Sequence, residues 1–174
     1  MLKIATRPQS DSLAMLADVV SELELVAGHS LREFREGVYV RRAAERLVQL
    51  AVDLSLEVAL RALHVAGKRV PGGCPEIFRD LAKAGLLAEP MAEKMAGAVD
   101  LRQRILLGWG GFDPGLDPDS EMHLRLPFLV VLLREFGRRM EDLSAGGEQG
   151  SPNAKAVRGF GAGGEQGSRG ERRA

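Results

Sequence analysis

Cysteine, histidine and aromatic residues are all scarce in this sequence of 174 residues. It contains one cysteine, Cys74, three histidines, and only 5% aromatic residues. A single cysteine excludes an internal disulfide and a metal site built from several cysteines. His29, His64 and His123 lie in separate segments, where a lone histidine is more often solvated or capping than catalytic. We therefore expect neither a bound metal nor a cofactor.

An excess of charge of one sign and a long apolar segment are missing as well. The 24 basic residues balance the 24 acidic residues, so any site for a polyanion must be local. The richest apolar runs, such as RLPFLVVLLREF, fall far short of the ~20 residues that span a bilayer, and MLKIATRPQSDS lacks the apolar stretch of a signal peptide. These features predict a cytoplasmic protein that binds neither DNA nor a membrane.

The motifs of common enzyme classes are also absent. The sequence has no phosphate-binding glycine loop, no HExxH pair, no nucleophile elbow and no cysteine–histidine zinc spacing. What is present is a composition typical of helices: 45% of the residues are hydrophobic and 28% are charged, with much Leu, Ala, Val, Glu and Arg. The length favours one domain, and we predict that it is all-α.

Apolar residues recur at helical spacing in four long segments and one short one, which proline and glycine separate. The predicted helices begin at a Ser12 cap and end at Gly28, run from about Glu36 to His64, cover the short stretch PEIFRDLAKAG, run from about Glu89 to Leu107, and fill SEMHLRLPFLVVLLREFGRRMEDLSA with a bend near Pro127. At 1.5 Å per residue the second of them is about 40 Å long, which suits the spine of a bundle.

The composition changes from Ala145 onward. This tail is rich in glycine, repeats the sequence AGGEQGS, and has only Val157 and Phe160 as sizeable apolar residues. Such a segment buries too little apolar surface to fold by itself. We predict a helical domain over residues 10–143 and a disordered tail over residues 145–174.

Two carboxylates on the long second helix are candidate binding residues. Asp53 and Glu57 stand four positions apart and share a face of the helix, which Arg46 and Gln49 approach. Carboxylates in this arrangement either orient a basic group on a neighbouring helix or simply remain solvated. The sequence leaves both interpretations open.

The stretch LRQRILLGWGGFD, residues 101–113, combines two arginines with the only tryptophan of the chain. It ends a predicted helix, comes after the phrase FRDLAKAGLL, and leads into a turn rich in Asp and Pro. This order, with a helix that ends in R-[NQ]-R-[IL]-x-x-G-[YW], resembles the HepT-like ribonuclease family of the HEPN superfamily. ERLVQLAVDLSLEVA resembles the second helix of that family and FDPGLDPDSEMHLRLPFLVVLLREF its last turn and helix, so the resemblance covers about residues 10–143.

The resemblance implies a bacterial or archaeal helical bundle that forms a homodimer and acts as the toxin of a toxin–antitoxin pair by cleaving RNA without a metal. It also implies a partner, the small nucleotidyltransferase MntA, which silences the toxin by adding AMP to a tyrosine near the active site. The family's active motif is an arginine, a polar residue, three further positions, a histidine, one residue and a tyrosine. On this sequence the four motif positions are Arg102, Gln103, Leu107 and Trp109.

Leu107 and Trp109 depart from the family pattern. Metal-free RNA cleavage needs a group that takes a proton from the 2′-hydroxyl or gives one to the leaving oxygen, and imidazole titrates near neutrality. Leucine does neither, and tryptophan has no hydroxyl to accept AMP. Arg102, helped by Arg104, can still hold a phosphate through charge and paired hydrogen bonds. We predict a catalytically impaired member of the toxin family that keeps an MntA-like nucleotidyltransferase partner, with RNA as a second candidate ligand.

Two other interpretations stay open. In the first, the protein is an active RNA endonuclease in which Arg102 works with a substitute proton carrier such as His64 or His123; Leu107 is the feature against it. In the second, the protein is a non-enzymatic scaffold that binds a nucleotidyltransferase and never contacts RNA.

Overall fold

Six α-helices make up the part of the chain that the computed structural model describes, residues 8–69, 72–108 and 117–148. In chain order they are α1 Gln9–Ala27, α2 Leu31–Glu36, α3 Val38–Val65, α4 Cys74–Lys83, α5 Glu89–Leu106 and α6 Pro118–Glu148. The described ranges contain no strand, which confirms the all-α prediction. None of the helices within them combines the length and the apolar character needed to cross a membrane.

The spine of the bundle is α3, whose 28 residues extend for about 42 Å at 1.5 Å per residue. It contacts each of the other five helices; α1 and α6 pack on it and on each other, and α4 and α5 do the same. Small and branched side chains on α3 allow this close approach. Those fully removed from solvent are Ala44, Val48, Ala51, Val52, Val58, Ala59 and Leu63.

The boundaries of α3, α4 and α5 lie within two residues of those predicted from the sequence. Their ends follow from backbone chemistry. Pro75 lies in the first turn of α4, where its missing N–H leaves no hydrogen bond unmade. Gly85 follows that helix with φ of 73°, a left-handed conformation that favours glycine.

The predicted cap at Ser12 is wrong. Helix α1 begins earlier, at Gln9, and Ser12 lies fully buried within its first turns. The Ser12 hydroxyl contacts the carbonyl oxygen of Pro8 at 3.4 Å and Oε1 of Glu57 at 3.1 Å. Ser12 therefore joins α1 to α3 instead of starting a helix.

Helix α2 was missed, because the sequence around His29 and Ser30 reads as a polar connection. The Ser30 hydroxyl accepts a hydrogen bond from the Glu33 amide at 3.3 Å, and the Glu33 carboxylate accepts one from the Ser30 amide at 2.8 Å. This reciprocal pair is a capping box, and the spacing of Ser30 and Glu33 was the signal for it. Phe34, which is fully buried, anchors the short helix to the core.

Helix α6 continues through Pro127 and reaches Glu148. It therefore extends past the predicted domain end at residue 143 and takes in the first residues assigned to the tail. The bend expected at Pro127 stays a prediction, and the rest of the tail lies outside the described residues.

The start of α6 is tied to two other helices by ion pairs. The Asp117 carboxylate accepts hydrogen bonds from the Ser120 hydroxyl at 2.7 Å, from the Ser120 amide at 3.0 Å, and from Arg35 of α2. These contacts, those of Ser120 first, lower the pKa of Asp117 from 3.8 to about 2. Arg41 of α3 pairs in the same way with Asp119 at 3.0 Å.

Asp117→Ala is expected to lower the midpoint of thermal unfolding, because it removes the cap of α6 and the partner of Arg35. Asp117→Asn, which keeps a capping oxygen without the charge, is the matched control for pH dependence. Because the folded pKa lies below 3.8, the stability that the Asp117 charge contributes is present above that pH and is lost as the pH falls towards 2. The midpoints of wild type and Asp117→Asn, measured from about pH 5 to about pH 2, should therefore converge. A difference that stays constant with pH would contradict the assignment.

Candidate functional site

The end of α5 brings the motif residues to the surface. The Leu107 amide N–H donates a hydrogen bond to the carbonyl oxygen of Gln103 at 3.1 Å. Gly108 follows with φ of 66°, a conformation in which a side chain would strain the backbone. Arg102 and Arg104 therefore lie in the last turns of the helix. Two positions correspond to about 200° around a helix, so these two arginines face different neighbours.

Arg102 faces α3 and pairs with Asp53. The distance between Arg102 Nε and Asp53 Oδ1 is 2.6 Å, with 23% of the arginine side chain and 45% of the aspartate side chain exposed. The buried Nε makes no aligned hydrogen bond, so the contact with Asp53 is an ion pair without hydrogen-bond geometry at this nitrogen. Asp53 thus orients a basic group on a neighbouring helix, one of the two arrangements that its position on α3 allowed.

Glu57 does not join this pair. Its Oε1 accepts a hydrogen bond from Ser12 of α1 at 3.1 Å and from Arg61, one turn further along α3, at 2.5 Å. Asp53 and Glu57 share a helix face, but Glu57 bonds to Ser12 of α1. The structure therefore leaves Asp53 as the carboxylate that contacts Arg102.

Arg104 faces α6 and forms an ion pair with Glu121 of that helix. Oε1 of Glu121 lies 3.3 Å from Arg104 Nη1 and 2.7 Å from Arg125 Nη2, and only 9% of the Glu121 side chain is exposed. Neither Glu121 nor Arg125 was identified from the sequence. Their spacing of four residues on one helix was a signal for the pair within α6, but nothing in the sequence pointed to the contact with α5.

The two other motif positions face solvent or lie beyond the described part of the chain. Gln103 is exposed, and Leu107, at the end of α5, is 65% exposed. Trp109 lies outside the described residues. Leu107 is therefore accessible to solvent.

The three histidines lie in other parts of the bundle. His123 is bonded through Nε2 to the carbonyl of His29 at 2.8 Å and packs edge-on against Phe34. It follows Glu121 by two positions, so it projects from another side of α6. His64 lies three turns after Asp53 on α3, about 16 Å along the helix axis. None of the three takes the place that Leu107 occupies.

An apolar surface runs along α5 and α6 beside the motif. Five of its large apolar residues are at least half exposed to solvent. They are Leu106, Leu107, Leu124, Phe128 and Val131. Between the two helices lies a groove of about 390 Å³ that extends from Arg125 to Glu135 along α6 and has Lys94 of α5 on its wall. Among the described residues, no group of three His, Cys, Asp or Glu side chains is arranged to hold a metal ion.

Several solved structures are similar to this chain in fold. A tri-AMPylated HEPN toxin from Shewanella oneidensis, solved in complex with an MNT antitoxin, matches with a TM-score of 0.68 and 15% identity over 82% of this chain and 99% of that chain. A toxin–antitoxin complex with AMP-PNP matches with a TM-score of 0.67 and 13% identity over 77% of this chain and 97% of that chain. YutE, a cytosolic protein of unknown function from Bacillus subtilis, matches with a TM-score of 0.64 and 15% identity over 82% and 94% of the two chains.

These likenesses define the class of the molecule: it is a helical bundle with the HEPN fold. The chain belongs to the ribonuclease HepT-like family, whose model matches residues 16–116, more than half of its length. No curated protein sequence is significantly similar to it. The family indicated by the motif around Arg102 is thereby confirmed.

Proposed function

We propose that the protein is the toxin-family member of a HEPN–nucleotidyltransferase toxin–antitoxin pair in the cytoplasm, and that its own ribonuclease site is impaired. The observation that carries the proposal is Leu107. It lies at the exposed end of α5, at the position of the family's histidine, and offers no proton to the reaction. Loss of a positioned acid–base group typically lowers the rate about 10² to 10⁴-fold.

The surroundings of Leu107 support the same conclusion. His123 is engaged with the carbonyl of His29, and His64 lies about 16 Å along α3 from Asp53. In the described part of the chain, Asp53 is the carboxylate that pairs with Arg102, and the pair orients that arginine. An active enzyme that uses Arg102 with a substitute proton carrier would need one of these groups to move.

The partner is proposed from the relatives. Two similar folds were solved as toxin–antitoxin complexes, one of them with an MNT antitoxin, so we propose an MntA-like nucleotidyltransferase as the partner of this chain. At the position of the AMP-accepting tyrosine the chain has Trp109, which has no hydroxyl. The partner would therefore bind this chain without modifying that position, and a toxin that cleaves RNA poorly has little need to be silenced.

We also propose that the protein is a homodimer that buries the part of this apolar surface formed by Phe128 and Val131 of α6, and that the end of α5 stays accessible. Phe128 is 77% exposed and Val131, three residues later on the same helix, is 53% exposed, and large apolar residues exposed side by side often mark an interface. The groove beside them carries charges of both signs, Lys94 and Glu135. A two-fold axis places the same surface on both subunits, so a face with both signs can complement itself.

Phe128→Glu is expected to convert the dimer to a monomer at micromolar concentration, because it places an unpaired charge in the apolar contact. Sedimentation equilibrium measures the change. Leu25→Glu, the same kind of substitution at a residue of α1 that is 75% exposed, is the matched control and should leave the dimer intact. A monomeric wild type, or a dimer that survives Phe128→Glu, would show that this surface is not the interface.

A second candidate function is supported by the Asp53–Arg102 ion pair. Because a carboxylate already occupies Arg102, the arginine is less available to an RNA phosphate. This favours a non-enzymatic scaffold that binds the nucleotidyltransferase and leaves RNA alone. Binding of RNA by the purified protein separates this scaffold from an impaired nuclease.

The proposed function is tested by incubating the purified protein with labelled tRNA and total RNA, with an intact HepT-like ribonuclease as the positive control. We expect the wild-type protein to leave the RNA intact and to co-purify with a nucleotidyltransferase encoded beside it. Cleavage by the wild type that disappears in Arg102→Ala would instead establish the active enzyme.

A further inference from the structure

The contact between α5 and α6 at Glu121 has a geometry that a simple surface ion pair lacks. One carboxylate oxygen of Glu121, Oε1, lies 3.3 Å from Arg104 Nη1 and 2.7 Å from Arg125 Nη2. The residue as a whole is only 7% exposed. Burial of a carboxylate is unfavourable unless cations compensate for the lost water, so the two guanidinium groups and Glu121 form one unit.

The two arginines in this unit remain accessible. Arg104 exposes 28% of its side chain and Arg125 exposes 46%. Arg125 contacts Glu121 through one terminal nitrogen, and a guanidinium carries five N–H donors in a fixed plane. Because both groups meet at the same oxygen, they lie side by side at the surface, where a phosphate can contact both.

Their place on α5 brings this unit close to the motif. Arg104 precedes Leu107 by three residues, which puts the two side chains within about 60° of each other around the helix. Arg102 precedes Leu107 by five residues, about 140° away, and is paired with Asp53. The Arg102–Asp53 pair is neutral, whereas two arginines share the single carboxylate of Glu121 and keep one positive charge between them.

We infer that Arg104 and Arg125 form a binding site for the phosphate backbone of RNA, and that Glu121 is the positioning residue that holds them together. The inference rests on the RNA-binding part of the proposed function. A planar guanidinium offers phosphate two parallel hydrogen bonds. Two guanidinium groups held at a fixed separation can contact one phosphodiester chain together. Glu121 limits the freedom of both arginines before RNA arrives, which reduces the ordering that binding requires.

Glu121→Gln tests the inference through the sign of its effect. The substitution removes one negative charge, so electrostatics alone would tighten the binding of RNA. A positioning role requires the opposite, because the arginines are then no longer held together. We expect affinity for single-stranded RNA, measured by fluorescence anisotropy, to fall by roughly tenfold, and the slope of log Kd against log salt concentration to fall by about one.

The matched control is Glu141→Gln, the same charge change at an exposed residue of the same helix, about 30 Å away along its axis. It should leave the affinity unchanged or slightly higher. Circular dichroism and thermal unfolding check that both variants fold. Unchanged or tighter binding in a folded Glu121→Gln would overturn the inference.

A second variant keeps the test decisive if Glu121→Gln does not fold. Arg125→Lys preserves the charge but loses the planar fork, and we expect binding several-fold weaker, whereas Arg138→Lys at an exposed position of α6 should have no effect. Equal affinities in the two lysine variants would refute the site. Binding of inorganic phosphate by a wild type that binds no RNA would mean a site for free phosphate instead.

The outcomes also separate this inference from the proposed function. A wild type that binds no RNA overturns the phosphate site but leaves partner binding and the role of Leu107 to be judged by their own experiments. RNA binding that depends on Arg102 and not on Glu121 or Arg125 supports an impaired nuclease while rejecting the site at α6.

Discussion

Leu107→His is expected to give the protein a ribonuclease activity that the wild type lacks. The substitution places an imidazole at the exposed end of α5, where the HepT-like motif requires a proton-transferring group. Because such a group contributes about 10² to 10⁴-fold to the rate, cleavage of labelled tRNA should rise by that order. The activity should depend on pH with a transition near 6.5, the ordinary pKa of histidine.

Leu106→His is the matched control, since Leu106 is an exposed leucine one position earlier on the same helix turn. It adds the same imidazole about 100° away around the helix and should not produce cleavage. Arg102→Ala combined with Leu107→His should remove the gained activity, because the phosphate loses the arginine that the motif supplies.

Two results would contradict the role assigned to Leu107. If Leu106→His and Leu107→His cleave equally well, the imidazole acts without the motif geometry. If the wild type already cleaves and Leu107→His adds nothing, the missing proton carrier must be sought among His64, His123 and Asp53.

The helices that carry the site could be predicted closely because their signals are local. In α3 and α5 the apolar spacing is regular, and the glycines that follow these two helices, Gly67 and Gly108, adopt positive φ. The two errors were also local. Ser12 is a typical cap residue that is buried inside a helix, and Ser30 with Glu33 is a capping box that the polar composition around it obscured.

The contacts of the site were predictable only in part, because they join residues far apart in the chain. The face shared by Asp53 and Glu57 follows from helix periodicity. Which of the two meets Arg102 depends on how α5 and α1 pack against α3, and periodicity carries no information on packing partners. Glu121 was missed for the same reason: its contact with Arg104 depends on the approach of α6 to α5.

The family motif identified the right stretch of sequence but not how its residues are used in this chain. By resemblance to the family motif Arg102 is the expected phosphate-binding residue, yet it pairs with Asp53, and Arg104, one of the three further positions of the motif, pairs with Glu121. A motif records residue types at fixed spacing. Which carboxylate pairs with each arginine after folding depends on residues of α3 and α6 that lie outside the motif.

Phe78→Ala is expected to produce the largest loss of stability among single substitutions in the helices that support the site. Phe78 of α4 is fully buried and packs edge-to-face on Phe136 of α6, with ring centroids 5.6 Å apart and planes at 84°. Truncation removes that contact and leaves a cavity that the surrounding helices fill only in part. The expected cost is about 3 to 5 kcal/mol, a large share of the 5 to 15 kcal/mol typical of a domain.

Urea unfolding at fixed protein concentration measures this loss as a lower midpoint with an unchanged slope. Leu25→Ala, at an exposed leucine of α1, is the control and should change the free energy of unfolding by no more than about 0.5 kcal/mol. Amide hydrogen exchange locates the effect: α4 should lose protection first, because Phe78 is its largest buried side chain. Since α4 packs against α5 and its Arg79 holds Glu93 of α5 at 2.8 Å, loosening should spread next to α5. A loss of unfolding free energy below about 1 kcal/mol would mean that α4 is not anchored to the bundle through the ring of Phe78. Other contacts would then hold the first turns of α5.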